Sequence, residues 1–400
     1  MTTSTLTSLL LLTLVAALAP LLVDACRSLI MLPVVVAEIA FGVLLGPDVL
    51  GWVSEDGLVA LLANLGLAML MFFAGYEIDF ARMRGGSAGL ALRVWVLSLV
   101  IGLGIGAMLH LAGLPDSGLV IGLALTTTAL GALVPILKDT GDLRSSFGGH
   151  VLATGAVGEF GPIIAISLLL STRAPGWTAA LLLAFAAVAV LAVVMARRPR
   201  PARLNRVVAM TLRTSAQMAV RFTLLVIVAL VWLADEFGLD VLLGAFTAGV
   251  VIRLFLSSGE REETALVTDK LEAVGFGFLI PMFFVVSGVR FDLSGLLGSA
   301  FALALMPALL GLFMITRGLP VAIVYRSALG RADRVALALF ASTALPLVVV
   351  IVNIGVQSGR LREDLGASLV GAAMLSLVVL PLLALRARRN SRSAGLPTAG

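Results

Sequence analysis

The sequence predicts an all-α polytopic membrane protein with about thirteen transmembrane helices, and three observations carry that prediction. Of its 400 residues, 60% are hydrophobic and 13% charged, about half the charged share of a soluble domain. The mean hydropathy is +1.11. Apolar runs of about 20 residues recur from end to end, each long enough to cross a hydrocarbon core of roughly 30 Å. Finally, the basic residues gather between these runs rather than on one face or in one block.

The runs read as spans at roughly 6–23, 28–46, 57–76, 88–113, 117–137, 147–171, 177–196, 214–234, 238–256, 271–289, 297–325, 334–355 and 365–386. Two long hydrophilic intervals interrupt them, an arginine-rich one from Arg197 to Arg213 and an acidic-basic one from Gly259 to Lys270. No Lys or Arg precedes the first run and no clear cleavage site follows it, so that run is expected to stay as a helix. A single cysteine, Cys26, excludes a disulfide scaffold or a cysteine metal cluster. His110 and His150 are too few for a haem relay or a histidine metal site. The pI near 10.3 does not point to nucleic acid, because the charge lies in loops.

Orientation follows from the loops. With the N-terminus outside, the inner loops and tail hold 21 of the 28 Lys and Arg residues. Four (Arg173, Arg290, Arg360 and Arg362) fall outside, and Arg93, Arg221 and Arg317 lie within spans. The positive-inside rule therefore predicts an outer N-terminus and a cytoplasmic C-terminus in the cell membrane.

The chain also echoes itself. Phe72-Phe73-Ala74-Gly75 through Asp79 resembles Phe283-Phe284 through Gly288 and Asp292, with Gly-x-x-x-Asp in both. Thr127-Thr128-Ala129-Leu130 resembles Ser342-Thr343-Ala344-Leu345, and Phe41-Gly42-Val43 resembles Ala248-Gly249-Val250. These matches link spans 3, 5 and 2 to spans 10, 12 and 9. An offset of seven spans turns the second copy upside down, the arrangement of secondary transporters whose site lies between inverted repeats. In spans 5 and 12 the hydroxyl residues Thr127, Thr128, Ser342 and Thr343 stand mid-span, near Gly131 and Pro135 in one and Pro346 in the other. That composition weakens the helical ladder and predicts two crossed, discontinuous helices around a site. Two ordinary kinked helices packed through Ser and Thr are the plainer alternative.

Ionisable residues inside a span are functional candidates. Glu159 ranks first, mid-span between Gly158 and Phe160 with about a dozen apolar residues on either side. A carboxylate there can hold a proton or a metal cation, and that competition suffices to couple two fluxes. A structural ion pair with Arg93, Arg221 or Arg317 is the alternative. Glu38 either lines an approach path or bonds a broken helix. Glu77, Asp79 and Asp292 read as solvated caps, and Arg317 as a residue that pairs or snorkels rather than transports. His110 and His150 read as interfacial or packed.

Four segments carry a family resemblance: AEIAFGVLLGPDVLG (Ala37–Gly51), LGLAMLMFFAGYEIDF (Leu65–Phe80), LGAFTAGVV (Leu243–Val251) and IPMFFVVSGVRFDL (Ile280–Leu293). Together they resemble the second branch of the monovalent cation:proton antiporter superfamily, over about residues 5 to 386. The resemblance implies two six-helix inverted repeats joined by a linker helix, with spans 5 and 12 crossing in a mobile core. It also implies an elevator-like cycle and a homodimer. On that pattern residues 1–176 form the first repeat, 177–213 the linker helix and basic loop, 214–386 the second repeat, and 387–400 a disordered tail. Family members usually carry Asp on span 6, often after a second Asp or an Asn; here Gly158-Glu159 stands there. Electrogenic relatives bring a lysine into span 10, and this span has none. One carboxylate without a lysine partner predicts electroneutral exchange of one cation for one proton. No nucleotide-binding regulatory region of the Kef type is expected.

The expected function is thus exchange of Na⁺ or K⁺ for H⁺. Glu159 is the shared carboxylate, Thr127, Thr128, Ser342 and Thr343 stand near the coordination sphere, and Glu38 and Arg317 are pathway or structural polar residues. The expected partners are the cation, the proton, the bilayer and a second copy of the chain, with no cofactor and no nucleic acid. A cation channel or ion sensor on the same scaffold is the competing reading. An enzyme is not expected, since no catalytic cluster can be assembled from these residues.

Overall fold

In hydrocarbon a backbone N–H or C=O has no water to bond, so a spanning segment must satisfy its own ladder as a helix. The computed structural model describes residues 5–26, 34–53, 57–77, 87–169, 175–196, 217–256 and 261–393, and among these the regular structure is entirely helical. Arg27, Asp79, Arg82, Arg84, Arg173, the 197–213 loop and the tail beyond 393 lie outside the described residues.

The helices are α1 (Thr5–Cys26), α2 (Val34–Leu45), α3 (Gly57–Tyr76), α4 (Ser87–Leu111), α5 (Pro115–Ala124) and α6 (Leu130–Asp139). Next come α7 (Ser146–Leu169), α8 (Pro175–Ala196), α9 (Met218–Glu236), α10 (Val241–Leu256), α11 (Arg261–Val274), α12 (Ile280–Val289) and the short α13 (Leu293–Leu297). The series ends with α14 (Ala300–Phe313), α15 (Leu319–Val324), α16 (Arg331–Ala341), α17 (Pro346–Gln357) and α18 (Glu363–Ser393). Wide π turns at Gly275–Leu279 and Met314–Gly318 join α11 to α12 and α14 to α15. Among the described residues nine helical stretches are long and apolar enough to cross a membrane, and three shorter apolar ones are Val34–Leu45, Ala180–Ala192 and Val241–Leu256. With the broken α5–α6 pair, the described residues hold the thirteen segments read from the sequence.

Two boundaries differ from expectation. Most of the acidic-basic interval before Lys270 is helical, because α11 runs directly into the tenth span through the π turn. The tail expected to be disordered from 387 instead continues α18 to Ser393. The cause is Arg388, which is buried at 7% exposure. Its guanidinium bonds Asp333 at 2.7 Å, bonds Asp142, and lies 3.8 Å over the Phe147 ring. Asp292 caps α13, accepting the Gly295 N–H at 2.7 Å, as a cap reading requires.

The chain packs as two compact units. The first holds Met1–Glu55, Asp79–Ile166 and Val285–Gly400, and the second Asp56–Ile78 and Ser167–Phe284. The duplication is visible inside each. In the first, a Cβ on Gly42 of α2 would strike the Val285 carbonyl of α12, and one on Gly288 would strike the Ile39 carbonyl of α2. In the second, a Cβ on Gly249 of α10 would strike the Phe72 carbonyl of α3, and one on Gly75 would strike the Phe246 carbonyl of α10. Adding 207 carries Ile39 and Gly42 to Phe246 and Gly249; adding 213 carries Phe72 and Gly75 to Val285 and Gly288. The four contacts are one reciprocal pair of helix crossings made twice, at backbone distance that glycine alone permits.

Candidate functional site

The site forms where the fifth and twelfth spans lose their helical ladders. In the fifth, the Thr126 and Thr127 hydroxyls donate back to the Leu123 and Ala124 carbonyls at 2.7 and 2.8 Å, ending α5. Residues 127–129 then lie outside regular helix until α6 begins at Leu130. In the twelfth, Ser342 and Thr343 donate to the Ala338 and Leu339 carbonyls at 2.8 and 3.2 Å. Pro346 then opens α17, where its missing N–H costs nothing, and Leu345 before it lies outside helical geometry (φ −161°).

The two breaks cross. The Ala129 N–H donates to the Thr343 carbonyl at 2.8 Å, and the Thr128 hydroxyl donates to the Ala341 carbonyl at 2.6 Å. A third strand of support comes from α7, whose Gly158 carbonyl accepts the Thr128 N–H at 3.0 Å. The crossed, discontinuous arrangement expected from Thr127, Thr128, Ser342 and Thr343 is therefore present, and all four side chains are buried there. Each hydroxyl spends its single proton on a nearby carbonyl, leaving oxygen lone pairs as the groups a cation could meet.

Glu159 stands at this crossing, 1% exposed. Its carboxylate accepts the backbone N–H of Leu130, the first residue of α6. The positive end of a half-helix dipole therefore faces the acid. The other carboxylate oxygen, Oε2, is buried without a partner. A buried oxygen of this kind is costly unless a proton or a cation occupies it.

Arg317 lies in the π turn between α14 and α15 and is 0% exposed. It does not snorkel, and among the described residues it pairs with no acid. Its Nε donates to Thr128 Oγ1 at 3.0 Å and to the Ala341 carbonyl at 3.3 Å. Nη1 donates to Ser98 Oγ at 3.2 Å and Nη2 to the Thr154 carbonyl at 3.3 Å. Ala341 is the last residue of α16, so the cation sits at the negative end of a half-helix dipole. Gly158 makes room for it: a Cβ there would meet Nη2 and come within 2.7 Å of Thr128 Oγ1. Arg317 and Glu159 are thus neutralised by two different helix ends rather than by each other. Arg93 and Arg221, the other expected pairing partners, are exposed on α4 and α9.

Glu38 is buried at 4% on α2, outside the bonds that tie the crossing together. His150 is half-buried with its ring edge-on to Tyr325, 5.2 Å between centroids, and His110 is exposed at the end of α4. Sequence reasoning missed Ser98, Thr154, Tyr325 and Ser376. Tyr325 and Thr154 share a hydroxyl bond of 3.0 Å, and it is the Thr154 carbonyl that accepts from Arg317. Single hydroxyls in apolar runs carry no signal that separates them from ordinary packing. Among the described residues no group of three His, Cys, Asp or Glu side chains could hold a metal ion.

Comparison with known proteins places this architecture. Over 97% of both chains it superposes on the sodium proton antiporter MjNhaP1 of Methanocaldococcus jannaschii at pH 8, with a TM-score of 0.69 and 14% identity. The chain is 25% identical to the Na⁺/H⁺ antiporter of Enterococcus hirae, covering 88% of this chain and 91% of that one. It is 28% identical to YjbQ of Bacillus subtilis, over 94% of this chain but 62% of that longer protein. Cation/H⁺ antiporter 19 of Arabidopsis thaliana matches at 27% identity, and the chain spans 35% of its length. The family described as sodium/hydrogen exchanger, transmembrane, matches residues 12–385. With the crossing of its two broken helices, this membrane chain belongs to the sodium/hydrogen exchanger family.

Proposed function

We propose that the chain exchanges a monovalent cation, Na⁺ or K⁺, for H⁺ across the cell membrane, with Glu159 as the group that holds one or the other. The observation that carries this reading is the unpartnered, buried Glu159 Oε2 at the crossing of the two breaks. A carboxylate fixed by one backbone N–H and open on its other oxygen can be satisfied by a proton or by a cation, and by only one at a time. Thr127, Thr128, Ser342 and Thr343 supply oxygens within the same crossing, with Thr128 already sharing its lone pairs with Arg317. Arg317 serves to hold the crossing, and Glu38 belongs to an approach to it. Names of relatives point the same way: GerN of Bacillus cereus is a Na⁺/H⁺-K⁺ antiporter, 25% identical over 66% of this chain.

The exchange is electroneutral in this reading, one cation for one proton, because one carboxylate changes its occupant and Arg317 keeps its charge throughout. The first repeat takes residues 1–176, the linker 177–213 and the second repeat 214–386. A mobile core in which spans 5 and 12 cross moves as an elevator in a homodimer, with the N-terminus outside and the C-terminus cytoplasmic.

The test is transport by the full chain in liposomes with a trapped pH dye and the membrane potential clamped. Addition of Na⁺ or K⁺ moves protons in wild type and leaves the dye unchanged in Glu159→Gln. As pH falls, protons compete for the carboxylate and the apparent KM for the cation rises. Proton movement that survives in Glu159→Gln contradicts the assignment, and unsaturable conductance in place of exchange supports a channel.

A further inference from the structure

The break in the twelfth span has a keeper that the exchange reading does not use. Ser376, on α18, is 0% exposed. Its Oγ accepts the Ala344 N–H at 3.0 Å, inside the break between α16 and α17. The same oxygen is within donating distance of two carbonyls, Ala344 at 2.9 Å and Ala373 at 2.7 Å. A hydroxyl has one proton, so it serves one of these carbonyls at a time. When the proton turns to Ala373, serine stays fully bonded while the Ala344 carbonyl is released.

That carbonyl lies one residue from the crossing. Thr343 accepts the Ala129 N–H, and the next donor along, Leu130 N–H, goes to Glu159. The positions also correspond across the duplication. Glu159 accepts an N–H at the head of α6, and Ser376 accepts one just before α17. They are separated by 217 residues, against 215 for Thr128 and Thr343. The second repeat therefore presents a neutral hydroxyl where the first presents a carboxylate.

We propose that Ser376 is a positioning residue that presents the Ala344 carbonyl to the transported monovalent cation, switching its own proton to Ala373 as the cation arrives. Backbone carbonyls are natural ligands for such ions, replacing water oxygens one for one. The proposal rests on the exchange reading, with Glu159 as the charged ligand and Ala344 as a neutral one that is available on demand.

The experiment compares Ser376→Ala and Ser376→Thr with wild type and Glu159→Gln in liposomes, alongside Na⁺- and K⁺-dependent thermal stabilisation of the detergent-solubilised protein. Ser376→Ala leaves the Ala344 N–H without its acceptor, so the peptide is no longer held in place. The expected result is an apparent cation KM raised at least about threefold with a maximal rate within about twofold of wild type. The cation-dependent thermal shift shrinks, and Ser376→Thr, which keeps the hydroxyl, restores both. If Ser376→Ala does not fold, Ser376→Cys carries the test: its weak donor raises KM while Thr does not. An unchanged KM, with only lower yield and a lower melting temperature at every cation concentration, overturns the proposal while exchange stands. Wild type without cation-driven proton movement overturns the exchange reading and this inference with it.

Discussion

At the scale of single residues, the site separates two opposite charges and gives each a helix end. Glu159 caps the start of α6, while Arg317 collects the Thr128 hydroxyl, the carbonyl that ends α16, a hydroxyl on α4 and a carbonyl on α7. Four oxygens placed around a planar guanidinium cannot be reached by a lysine ammonium, which is a compact point charge. Arg317→Lys is expected to lose at least one charged hydrogen bond, worth about 1.5–3 kcal/mol. The prediction is a melting temperature lowered by that loss and a slower transport rate. Retention of wild-type transport in Arg317→Lys shows that the fork geometry is dispensable. Glu159 was legible in the sequence because a lone charge among apolar neighbours stands out. The surroundings of Arg317 were not legible, because its partners are backbone carbonyls and isolated hydroxyls brought from four distant stretches of chain.

At the scale of elements, the breaks and the glycine crossings have different legibility. Thr127, Thr128, Ser342 and Thr343 announced the breaks through β-branching, back-bonding hydroxyls and a following proline. What the residues could not announce is that Gly158 and Ser376 bond the freed peptide groups, since those bonds join spans far apart in sequence. The crossings of α2 with α12 and of α3 with α10 rest on glycines whose added Cβ would strike a carbonyl rather than a movable side chain. Gly42→Val and Gly249→Val are both expected to separate their helices, costing at least about 1–3 kcal/mol each. Gly104→Val, where nothing lies within 4 Å, is the control and is expected to leave stability within about 0.5 kcal/mol. Thermal melting of the three variants in detergent checks this, and equal midpoints for Gly42→Val and Gly104→Val contradict the crossing.

At the scale of the whole molecule, thirteen segments and an inverted duplication can be read from the sequence, because membrane thickness fixes segment length and the repeats keep matching glycines. The chain's last charged stretch differs from its sequence reading, because a run of arginines after an apolar span looks like a solvated tail. Here Arg388 instead folds back between Asp142 and Asp333, which lie beyond α6 and in the first turn of α16. It therefore pins the far ends of two half-helices whose near ends form the site. Arg388→Met leaves two buried carboxylates without that partner and is expected to cost about 3–5 kcal/mol. Truncation after residue 387 is expected to have the same effect. A truncated protein that melts with the full chain contradicts the buried cluster.

The central claim is that one carboxylate carries either a proton or a cation. It is tested most directly by adding Na⁺ or K⁺ to purified protein in weakly buffered detergent solution and measuring proton release together with bound cation. About one proton is expected to be released per cation bound, and in Glu159→Gln neither release nor saturable binding. Cation binding without proton release in wild type, or release that persists in Glu159→Gln, contradicts it.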